Sequence, residues 1–277
     1  MEMHEIRPEI SQALLTNPGI GFIAAPELMD AEPNALRDSR GQIVAPYKFT
    51  PDSRTWNHPD SGVLFCSCRW KDIEPLQGTY DWRCLEEKLD AAAALGCTCI
   101  VRISPYALSA QEDIPAWLRM RYPEEPEFPF WRIDPNTTEY PRLWAALIRN
   151  FAARYDGDPR ITSVDMAIVG AWGEGGGTEN MEENAMKTVI AAYMEGFPHT
   201  PLTALLHDPK SLACIRAFPK QVGFRVDCLG DMGGFHGDRW SHMLDFYPEN
   251  IQNFQMGDAW QEAPVVFEAC WHMNDWY

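Results

Sequence analysis

"GVLFCSCRWKDIEPLQGTYDWRCLEEKLDAAAALGCTCIVRIS", residues 62–104, begins with an apolar, β-branched run, passes through a polar turn, and closes on a second such run. Between the two, Leu85, Leu89 and Ala92 or Ala93 recur at helical spacing. Asp81 stands where a cap is needed, and Gly96 supplies a stop. Strand, helix and strand in so short a span make a βαβ unit. The near-continuous apolar character of both strands marks them as covered on both faces, as parallel strands are.

The same alternation runs along the chain. Further candidate strands are "GIGFIA" (20–25), "ITSVDMAIVG" (161–170), "LTALLH" (202–207), "VGFRVDCLG" (222–230) and "PVVFEACW" (264–271). Pro141 suits a first helical turn, after which Trp144, Leu147, Ile148 and Phe151 mark one face. Residues 179–195 and 209–218 read as two more helices. A long insertion rich in Pro and aromatics follows the third strand, and insertions of that length are more often functional than idle.

Repeated β-α alternation leaves an open doubly wound sheet or a (β/α)8 barrel. No G-x-G-x-x-G follows an early strand. Polar and aromatic residues instead gather at strand C-termini all along the chain: Trp70, Arg102, Glu174, His207, Asp227 and Glu268. A barrel assembles its site in that way, so the expectation is a (β/α)8 TIM barrel forming one domain over residues 1–277. Strand 8 is not readable in this chain. An open barrel exposes two parallel edges, which would make a partner subunit, as in a homo-oligomer, or a further C-terminal segment welcome.

The 23 basic and 40 acidic residues give a net charge of −17, which argues against a nucleic-acid or anionic-membrane partner. A neutral ligand fits better, and 11 Trp with 9 Tyr suit a sugar-stacking surface as well as a large core. Cys66 with Cys68, and Cys97 with Cys99, alternate along single strands and cannot bridge within them. No C-x-x-C pair is present, so buried thiols in a reducing compartment are expected. With no basic-then-apolar start and no run of about 18 apolar residues, the expectation is a cytoplasmic protein.

The strongest chemical constellation is Glu174, in "AIVGAWGEGGG" (167–177), with Glu268 in the seventh strand. Both stand where an apolar run emerges from the core, with Trp172 and Trp271 close by. Two carboxylates across a sugar-sized gap are the minimal kit for glycoside hydrolysis: one protonates the leaving oxygen, and the other attacks the anomeric carbon or activates water. The first needs a raised pKa from an apolar wall, and the second needs an arginine. Arg102, Arg69 and Arg225 all lie on strands that can supply one. Glu74 reads as the fixer of a turn. His207 and Asp208 read as substrate contact or turn closure. Asp227, Asp231, His236 and Asp238 read as a substrate loop more readily than as a divalent-cation site, so no metal and no cofactor are expected.

Residues 68–103 resemble the strand 2–helix 2–strand 3 segment of clan A glycoside hydrolases. The similarity is greatest to the family 42 β-galactosidases and an uncharacterised bacterial branch related to them. Trp70, Ile73, Glu74, Pro75, Gly78, Tyr80, Asp81 and Trp82 carry it, "IPAWL" (114–118) adds to it, and a looser likeness runs from about Asn17 to Trp271. The resemblance implies an acid/base at Glu174 and a nucleophile at Glu268, hence a retaining hydrolase with carboxyl groups about 5–5.5 Å apart. Two features depart from the clan: Gly173 stands where an Asn usually bonds the sugar 2-hydroxyl, and the strand 8 Trp platform is not found. The leading expectation is a retaining β-glycosidase on a neutral oligosaccharide or glycoside. Arg102 or Arg69 would hold Glu268 ionised, Trp70, Tyr106, Trp172 and Trp271 would form walls, and His207, Arg225 and Asp227 would touch the sugar. Alternatives are a glycan-binding barrel or inactive fragment without turnover, and a metal-dependent barrel hydrolase using His207 and the strand 6 loop.

Overall fold

The computed structural model describes residues 23–24, 35–37, 43–46, 62–105, 114–122, 134–233 and 240–269. Seven strands form one parallel sheet: β1 (Ile23–Ala24), β4 (Val63–Arg69), β5 (Thr98–Ser104), β6 (Ile161–Asp165), β7 (Leu202–Leu205), β8 (Gly223–Leu229) and β9 (Val265–Ala269). Among the described residues each of the seven pairs with the next in chain order, from Ile23↔Val63 at one end to Phe224↔Val265 at the other. A doubly wound sheet reverses its order at a switch point. This one never does, so it is the wall of a partial (β/α)8 barrel, as the alternation predicts. All seven expected strands are present. A two-stranded antiparallel sheet, β2 (Ala35–Arg37) with β3 (Ile43–Pro46), follows β1 and was not legible in the sequence.

Helices cross between successive strands: α2 (Arg83–Ala94), α4 (Glu139–Tyr155), α5 (Glu183–Gly196), α6 (Pro209–Ile215) and α7 (Tyr247–Asn253), with short α1 (Trp70–Ile73) and α3 (Ala116–Arg119) between them. The apolar stripe of α2, Leu85, Leu89 and Ala92, is buried as its spacing requires. The N-cap position falls on Trp82 rather than Asp81, though Asp81 accepts the Arg83 N–H at 3.1 Å, and Gly96 takes φ +68° beyond the helix end, a conformation glycine adopts without penalty. Asp208 caps α6 by accepting from Lys210 and Ser211 N–H, bonds that close the turn after β7. Among the described residues no helix is long and apolar enough to cross a membrane.

Three expectations are corrected. The fourth strand ends at Asp165 rather than residue 170, and Met166, Ala167, Ile168 and Val169 continue as buried coil. Trp70 is not a wall: it is 0% exposed, packs against Trp117, Tyr140 and Trp144, and donates its Nε1–H to Glu74 Oε2 at 2.6 Å. Cys228 is disulfide-bonded. It lies at φ +49° where β8 slips register between Val226 and Leu229, outside the two strand pairs whose spacing argued for thiols. Cys66, Cys68, Cys84, Cys97, Cys99 and Cys214 carry thiols, those of Cys66 and Cys99 meeting at 2.8 Å across β4 and β5.

Once the chain leaves the β6 ladder, its carbonyls need other donors. Aromatic heads from the helical layer supply them. Trp144 Nε1 donates to Ala167 O at 2.8 Å, Tyr140 hydroxyl to Ile168 O at 2.7 Å, and Tyr193 hydroxyl to Ala167 O at 3.2 Å. Tyr140→Phe leaves the Ile168 carbonyl buried without that donor, so equilibrium urea unfolding should show a loss of about 1–3 kcal/mol.

Candidate active site

Beyond the braced coil, the backbone coils tightly. Gly170, Gly173, Gly175 and Gly177 take φ values of +99°, +80°, +76° and +103°, and Trp172 joins them at +54°. Trp172 O accepts from Ser104 Oγ at 2.8 Å and Arg102 Nη1 at 3.2 Å, which holds this strained residue in place. A Cβ on Gly173 would stand 2.6 Å from Ala167 Cβ, and one on Gly170 2.5 Å from Gly176 N. These glycines therefore serve the loop's own path. Around Gly176 and Gly177 the space is open, and an added Cβ there meets nothing within 4 Å. A side chain such as Asn has no room at position 173 on this path.

This loop sets Glu174 among groups from other strands. One carboxylate oxygen from each of Glu174, Asp227 and Glu268 lies within 4.8 Å of the other two. Beneath them are two guanidiniums, each with its side chain 3% exposed. Arg225 Nη1 is 3.3 Å from Glu268 Oε2 and also contacts Asp227 Oδ1, and Arg102 Nη1 is 3.8 Å from Glu174 Oε1. Asp165 Oδ2 takes Arg102 at 2.6 Å and Arg225 at 2.9 Å, while Thr203 hydroxyl donates to Oδ1 at 3.2 Å. Exposure grades upward, from 1% for the Asp165 side chain to 34% for Glu174 and 37% for Glu268, so the two glutamates face the solvent side of the site.

The electrostatics separate the acids. Burial pushes the Glu174 carboxyl above the ordinary carboxylate range, opposed by Arg225 and Arg102 and aided by Glu268 and Asp165. Burial also acts to raise Asp165, but Arg102 and Arg225 outweigh it and hold that carboxyl below its usual value. Burial, then the adjacent Arg102 charge, push Arg225 down. Three carboxylates so close are a geometry that a cation can share. Here the two guanidiniums already provide the compensating charge. Asp231 is committed elsewhere, accepting from Gly233 N–H at 3.0 Å and facing His242 Nδ1 at 2.8 Å. His236 and Asp238 lie outside the described residues.

The structure thus brings together Glu174, Glu268, Arg102, Arg225 and Asp227. His207 stands beside them, with Nδ1 3.8 Å from Asp227 Oδ2. The arginine at Glu268 is Arg225, whereas Arg102 sits by Glu174, and Arg69 pairs with Asp72 at 3.0 Å on the surface. Trp172 is exposed at the rim. Tyr106 and Trp271 lie outside the described residues. Sequence reasoning missed Asp165 and Trp240. Asp165 left a signal, a charge interrupting the apolar run 161–170 and therefore in need of a buried partner. Trp240 left none: it packs against His242 and Phe246, whose rings neighbour His207, at 4.8 and 5.3 Å.

Residues 61–166 match the family model described as beta-galactosidase of glycoside hydrolase family 42. The chain resembles the clan A glycoside hydrolases. The match covers the βαβ unit that carried the resemblance in sequence and continues into β6. A search of curated proteins finds no match. Among solved structures, the chain is similar to endo-glycoceramidase II from Rhodococcus sp., with 15% identity, 89% of this chain and 64% of that one covered, and a TM-score of 0.50. It is also similar to the catalytic domain of beta-amylase from Paenibacillus polymyxa, with 10% identity, 76% and 79% covered, and a TM-score of 0.53. At such identities these likenesses establish the barrel fold.

Gly173→Ala combines an unfavourable φ with the Ala167 contact and should cost at least about 1–3 kcal/mol in thermal or chemical melts. Gly176→Ala, with open space around it, should stay within about 0.5 kcal/mol of the parent.

Proposed function

We propose that the chain is a retaining β-glycosidase acting on a neutral sugar glycoside, with Glu174 as acid/base and Glu268 as nucleophile. The observation that carries the reading is that one oxygen of each approaches one of the other within 4.8 Å, a close approach of the kind the retaining arrangement needs. Inverting enzymes hold their carboxyls about 6.5–9.5 Å apart to admit a water, and retaining ones about 5–5.5 Å. The family match supports hydrolysis of glycosidic bonds, and a β-galactoside is the first substrate to try.

In the first step Glu268 attacks the anomeric carbon and forms an ester as the glycosidic C–O bond breaks. The Glu174 proton passes to the leaving oxygen. In the second, Glu174 as carboxylate takes a proton from water, whose oxygen displaces Glu268 and restores the β-anomer. Burial suits Glu174 to hold a proton, and Arg225 Nη1 stands 3.3 Å from Glu268 Oε2. Trp172 and Trp240 supply aromatic faces for the sugar, while His207 and Asp227 offer polar contacts at its edge.

Hydrolysis of aryl β-glycosides, with the product anomer followed by NMR, should give net retention. Glu174→Gln should slow poor leaving groups by about 10²–10⁴-fold and activated ones less, because only the former need its proton. Azide should rescue Glu174→Gly as the β-azide and Glu268→Gly as the α-azide, which assigns the roles. An inverted product excludes the double displacement.

Because Glu174 must be protonated to act, kcat/KM should fall as pH rises through its raised pKa, and Glu174→Gln should flatten that alkaline limb. EDTA should leave turnover unchanged. Loss of activity with chelator, restored by a divalent cation, would instead favour a metal held by the three carboxylates.

A further inference from the structure

Asp165 has no access to a substrate, since its side chain is 1% exposed, yet it touches both arginines of the site. Arg102 Nε and Nη2 reach its Oδ2 at 2.7 and 2.6 Å, and Arg225 Nε reaches the same oxygen at 2.9 Å. The guanidiniums then diverge, Arg102 toward Glu174 at 3.8 Å and Arg225 toward Glu268 at 3.3 Å. Both glutamates are thus linked to the same buried anion through these cations, Glu268 in contact with Arg225 and Glu174 under the charge of both. Resting on the roles proposed for those glutamates, we propose that Asp165 is a positioning residue: it clamps Arg102 and Arg225 together and so sets which glutamate keeps the proton.

Like charges buried side by side repel, and without Asp165 the arginines must find other anions. The nearest are the carboxylates above. The charged groups around Glu174 are Arg102 from β5, Asp165 from β6, Arg225 and Asp227 from β8 and Glu268 from β9, with His207, just past β7, against Asp227. Of these anions only Asp165 lies wholly inside the protein and away from the reacting atoms. Its charge opposes ionisation of Glu174 directly, and it also restrains the arginines that would promote it. Thr203 fixes the carboxylate from the far side. A merely structural Asp165 would affect folding but leave the proton where it is.

The test is a ¹³C-NMR titration of glutamate carboxyls in the full chain, with the Glu174 signal assigned by its loss in Glu174→Gln. In Asp165→Asn the Glu174 midpoint should fall by about one pH unit, and the alkaline limb of kcat/KM should follow. An unchanged midpoint in folded Asp165→Asn overturns the proposal. Should that variant not fold, Asp165→Asn in the Arg102→Met background leaves one buried guanidinium rather than two. Its Glu174 midpoint should lie below that of Arg102→Met alone, and equal midpoints overturn the proposal. The titration needs no turnover. A wild type without glycosidase activity therefore defeats the proposed reaction, while the midpoints still decide the role of Asp165.

Discussion

Two guanidiniums buried side by side are tolerable only among anions, and that requirement organises the C-terminal end of the sheet. Arg102 and Arg225 sit on β5 and β8, too far apart in sequence for any local device to pair them. What brings them together is the parallel order of the wall, in which β6 and β7 intervene and Asp165 and Thr203 stand between the two cations. The remaining counter-charges come from beyond or within three elements: Glu174 after β6, Asp227 on β8 and Glu268 on β9. Each is tolerated there, Asp227 buried and the two glutamates half-buried, because a guanidinium lies near it. The chemistry of the site and the solvation of its cations are one arrangement.

Much of the architecture was readable because it rests on periodicity. The seven sheet strands, the α2 stripe, the α4 face and the Gly96 stop follow from the spacing of apolar residues and the turn chemistry at their ends. The two glutamates were also readable, since each closes an apolar run in a β-α chain, and the structure sets their oxygens together. The pairing of arginines with carboxylates was not. Arg69, Arg102 and Arg225 are equivalent in sequence, and only strand register decides that Arg225 meets Glu268 while Arg69 points to Asp72.

The misreadings share a cause. An apolar run marks burial, not hydrogen-bond partners, so residues 166–169 looked like strand although they are buried coil held by side chains. A Trp after a strand looks like a sugar platform, yet Trp70 belongs to α1 and turns inward to Glu74. Glu74 is itself tied to Gly78 N–H at 2.7 Å in the turn its sequence suggested. The β2–β3 pair escaped notice because three- and four-residue strands carry too little pattern to read.

The bracing of residues 166–169 by Tyr140, Trp144 and Tyr193 has a consequence for how this barrel can change. Loops at the mouth of a barrel are often treated as exchangeable parts on a fixed wall. Here the segment leading to Glu174 is registered by the outer helices, whose side chains donate to it, Tyr140 and Trp144 from α4 and Tyr193 from α5. A graft of this loop onto another barrel would have to bring those helix faces with it. Substitutions on the inner side of α4, well away from any ligand, can re-aim Glu174, so variation in this loop and in that helix is bound to proceed together.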